Sequence, residues 1–84
     1  MRGSVADVAE FIEAGADVQI ADIYGRTALM LAASKGHSGV VELLIEAGAD
    51  VHHADNNGQT ALKNAARYRH FQVVNLLRKA GAVQ

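Results

Sequence analysis

Asp22-Ile23-Tyr24-Gly25-Arg26-Thr27-Ala28-Leu29-Met30-Leu31-Ala32-Ala33 returns 33 residues later as Asp55-Asn56-Asn57-Gly58-Gln59-Thr60-Ala61-Leu62-Lys63-Asn64-Ala65-Ala66. The shared frame is Asp-x-x-Gly-x-Thr-Ala-Leu-x-x-Ala-Ala, continued by a His, Val-Val-x-Leu-Leu and Ala-Gly-Ala. Across Asp22–Val51 and Asp55–Gln84, half of the aligned positions are identical. A partial third copy precedes them, because Glu13-Ala14-Gly15-Ala16-Asp17-Val18 repeats Glu46-Ala47-Gly48-Ala49-Asp50-Val51. A fixed period of this length marks a solenoid, in which each unit buries its apolar face only against its neighbours. Function is therefore to be sought on the surface of a short stack.

Within the central unit, Asp22-Ile23-Tyr24-Gly25 reads as a turn in which Gly25 supplies a conformation that other residues resist. Thr27 stands at a helix N-cap, with its hydroxyl available to an early backbone N–H. The run Ala28–Lys35 then sets Ala28, Leu29, Ala32 and Ala33 on one helical face, and Gly36 is its left-handed stop. A second helix, about 38–47, carries Val40, Val41, Leu44 and Ile45 and ends in the same manner at Gly48. The segment 49–54 reads as an exposed connection. The small pair Ala32-Ala33 permits close approach between helices, while the larger residues of the second helix fill the far side.

Helix, turn, helix and extended loop at this period resemble ankyrin repeats, whose pattern runs Asp-x-x-Gly-x-Thr-Pro-Leu-His-x-Ala-Ala-x-x-Gly-His-x-x-Val-Val-x-Leu-Leu-Leu-x-x-Gly-Ala-Asp. The resemblance covers the whole chain and implies an all-α solenoid of helix–turn–helix units joined by extended, β-hairpin-like loops. It divides one domain, 1–84, into a partial repeat (1–21), a full repeat (22–54) and a C-terminal capping repeat (55–84). There are departures. The Pro and His of Thr-Pro-Leu-His are replaced in both Thr27-Ala28-Leu29-Met30 and Thr60-Ala61-Leu62-Lys63. Gly36-His37 becomes Arg69-His70, so Arg69 must take a left-handed backbone or the helix must end differently.

Composition narrows the function classes. Eighty-four residues make one domain. Half are hydrophobic but only four are aromatic, so Ala, Val, Leu and Ile must form the core. Without Cys the chain has neither disulfides nor thiolate metal sites. No apolar run approaches the roughly 20 residues of a membrane span. The expectation is a soluble protein without cofactor, cytoplasmic or nuclear rather than secreted. Residues 1–54 hold three basic and eight acidic side chains, and residues 55–84 hold five and one. Either the two ends carry opposite fields, or the imbalance is ordinary variation across solvated faces.

The ends of the stack differ. Met30, Leu31 and Ile45 correspond to Lys63, Asn64 and Arg78, three apolar positions turned polar, as a terminal unit facing water requires. The first copy has residues for a second helix, near 5–14, with Val5, Val8, Phe11 and Ile12 apolar and no first helix beside it. Met1-Arg2-Gly3-Ser4 suits an engineered start, while the alignment of Gly3 with Gly36 suits a native one. Two and a half units fall below the three or so that stand alone. The chain is thus expected to have low thermal stability or to self-associate as a homo-oligomer through an open N-terminal face.

Residues that could carry chemistry are few. Ser4, Ser34 and Ser38 lack a nucleophile motif, and no phosphate-binding loop is present. His37 and His70 recur at the period, which points to a structural hydrogen bond near each helix–helix turn. His52 and His53, near Asp50 and Asp55, are neighbours on an extended loop whose side chains diverge, so they read as exposed loop residues and not as metal ligands. Arg67-Tyr68-Arg69-His70-Phe71 mixes basic and aromatic groups, but one short cluster on a chain acidic elsewhere does not make a nucleic-acid surface. No constellation points to an enzyme.

Positions that vary while the frame stays fixed point to binding. They are Ile23, Tyr24 and Arg26 in the turn and Met30, Ser34 and Lys35 in the first helix, against Asn56, Asn57, Gln59, Lys63, Arg67 and Tyr68. The resemblance implies that these line a concave recognition surface for a protein partner. Tyr24, Ile23 and Met30 are the expected apolar anchors, flanked by Arg26, Lys35, Arg67 and Tyr68, since aromatic and Arg side chains dominate interfaces. A second reading is a fragment or engineered piece whose main property is folding or self-association.

Overall fold

The computed structural model describes residues 18–82, where the chain forms four helices. They are α1 (Ala28–Lys35), α2 (Ser38–Glu46), α3 (Ala61–Arg67) and α4 (Phe71–Lys79). Among the described residues no strand forms. Isolated antiparallel bridges at Ala21–Thr27 and Ala54–Thr60 close the bases of two hairpin turns. The helix expected near 5–14 and the N-terminal face assigned to it lie outside the described residues.

Each unit starts with a carboxylate that holds its own turn. Asp22 Oδ1 accepts from the backbone N–H groups of Tyr24 (2.9 Å) and Arg26 (2.8 Å). Asp55 Oδ1 does the same for Asn57 and Gln59, both at 2.9 Å. The helices then begin on threonine caps, with Thr27 Oγ1 accepting from Met30 N at 3.4 Å and Thr60 Oγ1 from Lys63 N at 3.2 Å. α1 stops at Gly36 (φ 75°). In the last unit Arg69 takes the same left-handed backbone (φ 61°) in place of glycine, at a cost of about 1 kcal/mol.

The core follows from the alanines. Ala32, Ala33 and Ala65 are fully buried, so α1 lies close to α2 within its unit and to α3 of the next unit. Val40, Val41, Leu44, Val73 and Leu77 fill the layer between α2 and α4. Each side chain of this size withdrawn from water contributes about 1.5–3 kcal/mol. The connection 49–54 is less exposed than its polarity suggests, because Val51 turns inward and joins the core.

A polar seam joins one unit to the next. Asn56 N donates to Tyr24 O at 2.9 Å, and Asn56 Nδ2 donates to Ile23 O at 3.0 Å. His53 Nε2–H donates to Gly25 O at 2.8 Å, and His70 Nε2–H donates to Ser34 O at 3.1 Å. One expectation changes: His53 is not a free loop residue. His70 makes the structural hydrogen bond expected of it, but at the helix–helix turn of the preceding unit and not its own, where it makes no side-chain cap bond. The seam explains why glycine is needed at Gly25: a Cβ there would stand 2.7 Å from Asn56 Oδ1 and 3.0 Å from Asn56 N.

In the last described unit the equivalent carbonyl is met from within the same unit. Gly58 O corresponds to the Gly25 carbonyl that receives His53, and here Lys63 Nζ donates to it at 3.4 Å. A shallow depression of about 220 Å³ beside it is lined by Leu62, Lys63, Ala66 and Arg78. Lys63, whose counterpart Met30 is buried between units, meets water on this end face.

Candidate functional site

The two hairpin turns and the two first helices lie side by side and leave a groove of about 270 Å³ between them. From the central unit it takes Arg26, Met30, Leu31 and Ser34; from the last unit it takes Asp55, Asn57, Gln59, Asn64, Arg67 and Tyr68. The stacking of α1 on α3 places these residues together although they are far apart in sequence.

Seven residues expected at the recognition surface share this groove: Arg26, Met30, Ser34, Asn57, Gln59, Arg67 and Tyr68. Ile23, Tyr24, Lys35 and Lys63 do not line it. Ile23 and Tyr24 stand at the turn tip, 84% and 58% exposed, and Lys35 is exposed in the last turn of α1. Lys63 belongs to the end face described above. Met30 is the clearest correction. It is 2% exposed and part of the core, because its position faces the next unit, so it is groove floor and not a protruding anchor.

Three groove residues escape the comparison of varying positions. Asp55 belongs to the invariant frame, so it carries no variation to notice. Leu31 and Asn64 occupy one position, and its change from apolar to polar reads first as a capping feature.

Electrostatics differ at the two sides of the groove. Arg26 Nε donates to Asp22 Oδ2 at 2.8 Å, and its guanidinium lies 4.9 Å from the centre of the Tyr24 ring. The Asp22 carboxyl is held below its ordinary value of 3.8, first by the backbone N–H of Arg26; desolvation opposes this next, and the Arg26 side chain and the backbone N–H of Tyr24 add to the lowering. On the other side Arg67 Nη2 donates to Gln59 Oε1 at 3.0 Å, a neutral partner that fixes the guanidinium without cancelling its charge. Tyr68, 54% exposed, stands next to it, with its ring 6.3 Å from that of His70. Phe71, on the first turn of α4, is likewise exposed.

No group of three or more His, Asp or Glu side chains that could hold a metal ion occurs among the described residues. No described helix is long and apolar enough to cross a membrane. His53 and His70 are occupied by carbonyls, and Ser34 Oγ donates to Leu31 O at 2.9 Å, which is a helix contact and not a nucleophile's partnership.

Comparison with known proteins agrees with the repeat geometry. A family model described as ankyrin repeats, in three copies, matches residues 1–84. No curated protein sequence matches the chain. The match spans the whole sequence and the described units show the helix–turn–helix architecture with hairpin turns, so the chain belongs to the ankyrin-repeat family.

Proposed function

We propose that the chain binds a protein partner through the groove between its hairpin turns and first helices. Protein–protein interaction without catalysis is the general activity of the family. The choice of surface rests on one observation: Tyr24 with Arg26 and Tyr68 with Arg67 stand exposed on consecutive units, either side of or bordering one groove. Such pairs combine large contact area with few rotamers to freeze, which is what interface anchors need. The opposite side of the stack has no comparable aromatic pair among the described residues.

The last unit acts in this reading as a cap. Lys63 occupies the Gly58 carbonyl, and Lys63 and Arg78 make the end face polar where Met30 and Ile45 meet a neighbour in the central unit. The units then divide as 1–21, 22–54 and 55–84.

A capture experiment with tagged protein tests the surface. The wild type should retain a partner that the double variant Tyr24→Ala/Arg67→Ala loses, with both proteins giving the same helical circular dichroism and melting temperature. Undiminished capture by the double variant would place the interface elsewhere.

A further inference from the structure

We infer that the partner of this groove presents an acidic segment, with an Asp or Glu carboxylate seated on the Arg67 guanidinium. The inference rests on the binding surface proposed above and names the chemistry it selects. The turn and first-helix side of the described stack carries four cations, Arg26, Lys35, Arg67 and Arg69, besides Lys63 on the end face, against two carboxylates, Asp22 and Asp55. The side formed by α2, α4 and the connecting loops carries Glu42, Glu46 and Asp50 against Arg78 and Lys79, so among the described residues the charge is sorted across the stack.

The two carboxylates on the cationic side are engaged by their own turns. Asp22 accepts two backbone N–H groups and the Arg26 side chain, and Asp55 accepts two backbone N–H groups. Among the described residues the only ion pair is Arg26 with Asp22, so Lys35, Arg67 and Arg69 keep their charge for another molecule. Arg67 is the best placed of these. Gln59 holds one arm of its guanidinium at 3.0 Å, and the planar fork suits two-point contact with a carboxylate. Tyr68 beside it and Tyr24 beside Arg26 supply apolar surface for the side chains between successive acidic residues.

Selection of binding peptides from a random displayed library, with immobilised wild-type chain as bait and Tyr24→Ala/Arg67→Ala as the counter-screen, tests this directly. Peptides that need the groove should be enriched in Asp and Glu. Their affinity should fall about tenfold or more with Arg67→Gln, less with Arg67→Lys, and fall again as salt is raised. Replacing their acidic residues by Asn and Gln should reproduce the loss. Groove-dependent peptides without acidic enrichment, or with affinity indifferent to Arg67→Gln, would overturn the acidic partner while leaving the groove intact. Displacement of the acidic peptides by a random single-stranded oligonucleotide at equal concentration would overturn it in favour of a general anion surface. Recovery only of peptides that bind the double variant equally well, or of none, would overturn both this inference and the proposed surface.

Discussion

Gly25 and Gly58 hold the same place in consecutive turns and share a left-handed backbone, with φ of 80° and 78°. They differ in what lies above them. A Cβ at Gly25 would meet Asn56 Oδ1 at 2.7 Å, Asn56 N at 3.0 Å and Asp55 Cα at 3.2 Å, whereas one at Gly58 would meet nothing within 4 Å. Alanine at Gly58 therefore carries only the left-handed strain, about 1–2 kcal/mol, offset by about 0.4–1 kcal/mol from the stiffer unfolded chain. Alanine at Gly25 carries the same difference plus overpacking of about 1–3 kcal/mol. It also disturbs a seam of three hydrogen bonds, from Asn56 N, Asn56 Nδ2 and His53 Nε2, each contributing about 1 kcal/mol.

The expected losses are thus about 1 kcal/mol for Gly58→Ala and about 3 kcal/mol or more for Gly25→Ala. In a chain of this size that corresponds to melting temperatures lowered by about 4–8 °C and by about 12 °C or more. Thermal and urea unfolding followed by far-ultraviolet circular dichroism read both variants. Asn56→Ala in the Gly25→Ala background should recover only part of the difference, because it removes the Oδ1 clash but leaves the main chain of Asn56 and Asp55 in the way. Equal losses at the two glycines would show that the units do not meet as closely as these distances require.

Three further outcomes follow from the same geometry. Arg69→Gly should raise stability by up to about 1 kcal/mol, the left-handed strain at φ 61° it removes less the looser unfolded chain it creates, as a urea midpoint shifted upward would show. The Asp22 carboxyl is held below 3.8 in the folded chain, so its stabilising effect is present above that value and is lost as pH falls through the folded-state value. The advantage of wild type over Asp22→Asn in urea unfolding should therefore be seen at pH 6 and shrink on acidification below 3.8. Restoring central-unit residues at the end face with Lys63→Met/Asn64→Leu/Arg78→Ile exposes apolar surface and frees the Gly58 carbonyl. Sedimentation velocity should then show association at concentrations where the wild type shows less, and unchanged sedimentation would contradict the capping role of Lys63.

What the sequence makes legible is local. Ala28–Lys35 can be read to the residue because Thr27 and Gly36 bracket it and their roles are played by backbone geometry nearby. Arg69 announces its conformation because glycine stands there one unit earlier. What stays hidden spans two units. His53 reads as a loop residue since its acceptor, Gly25 O, lies 28 positions away. His70 recurs at the period, yet its acceptor is Ser34 O, 36 positions away and not in its own turn. Met30 looks like a surface anchor because the position varies, but the residue is buried as Met30, against the following unit, and exposed as Lys63. A varying position on a repeat thus has two physical causes, a partner or a neighbouring unit, and only the stacking of α1 against α3 separates them.

Site-specific photo-crosslinking compares the two sides of the stack in a single preparation. A photoreactive side chain is placed in turn at Tyr24 and Gln59 on the turn and first-helix side, and at Glu42 and Asn75 on the second helices. One partner should be captured from Tyr24 and Gln59 and absent from Glu42 and Asn75. Capture of that partner from Glu42 and Asn75 alone would show that the groove is not where this chain binds.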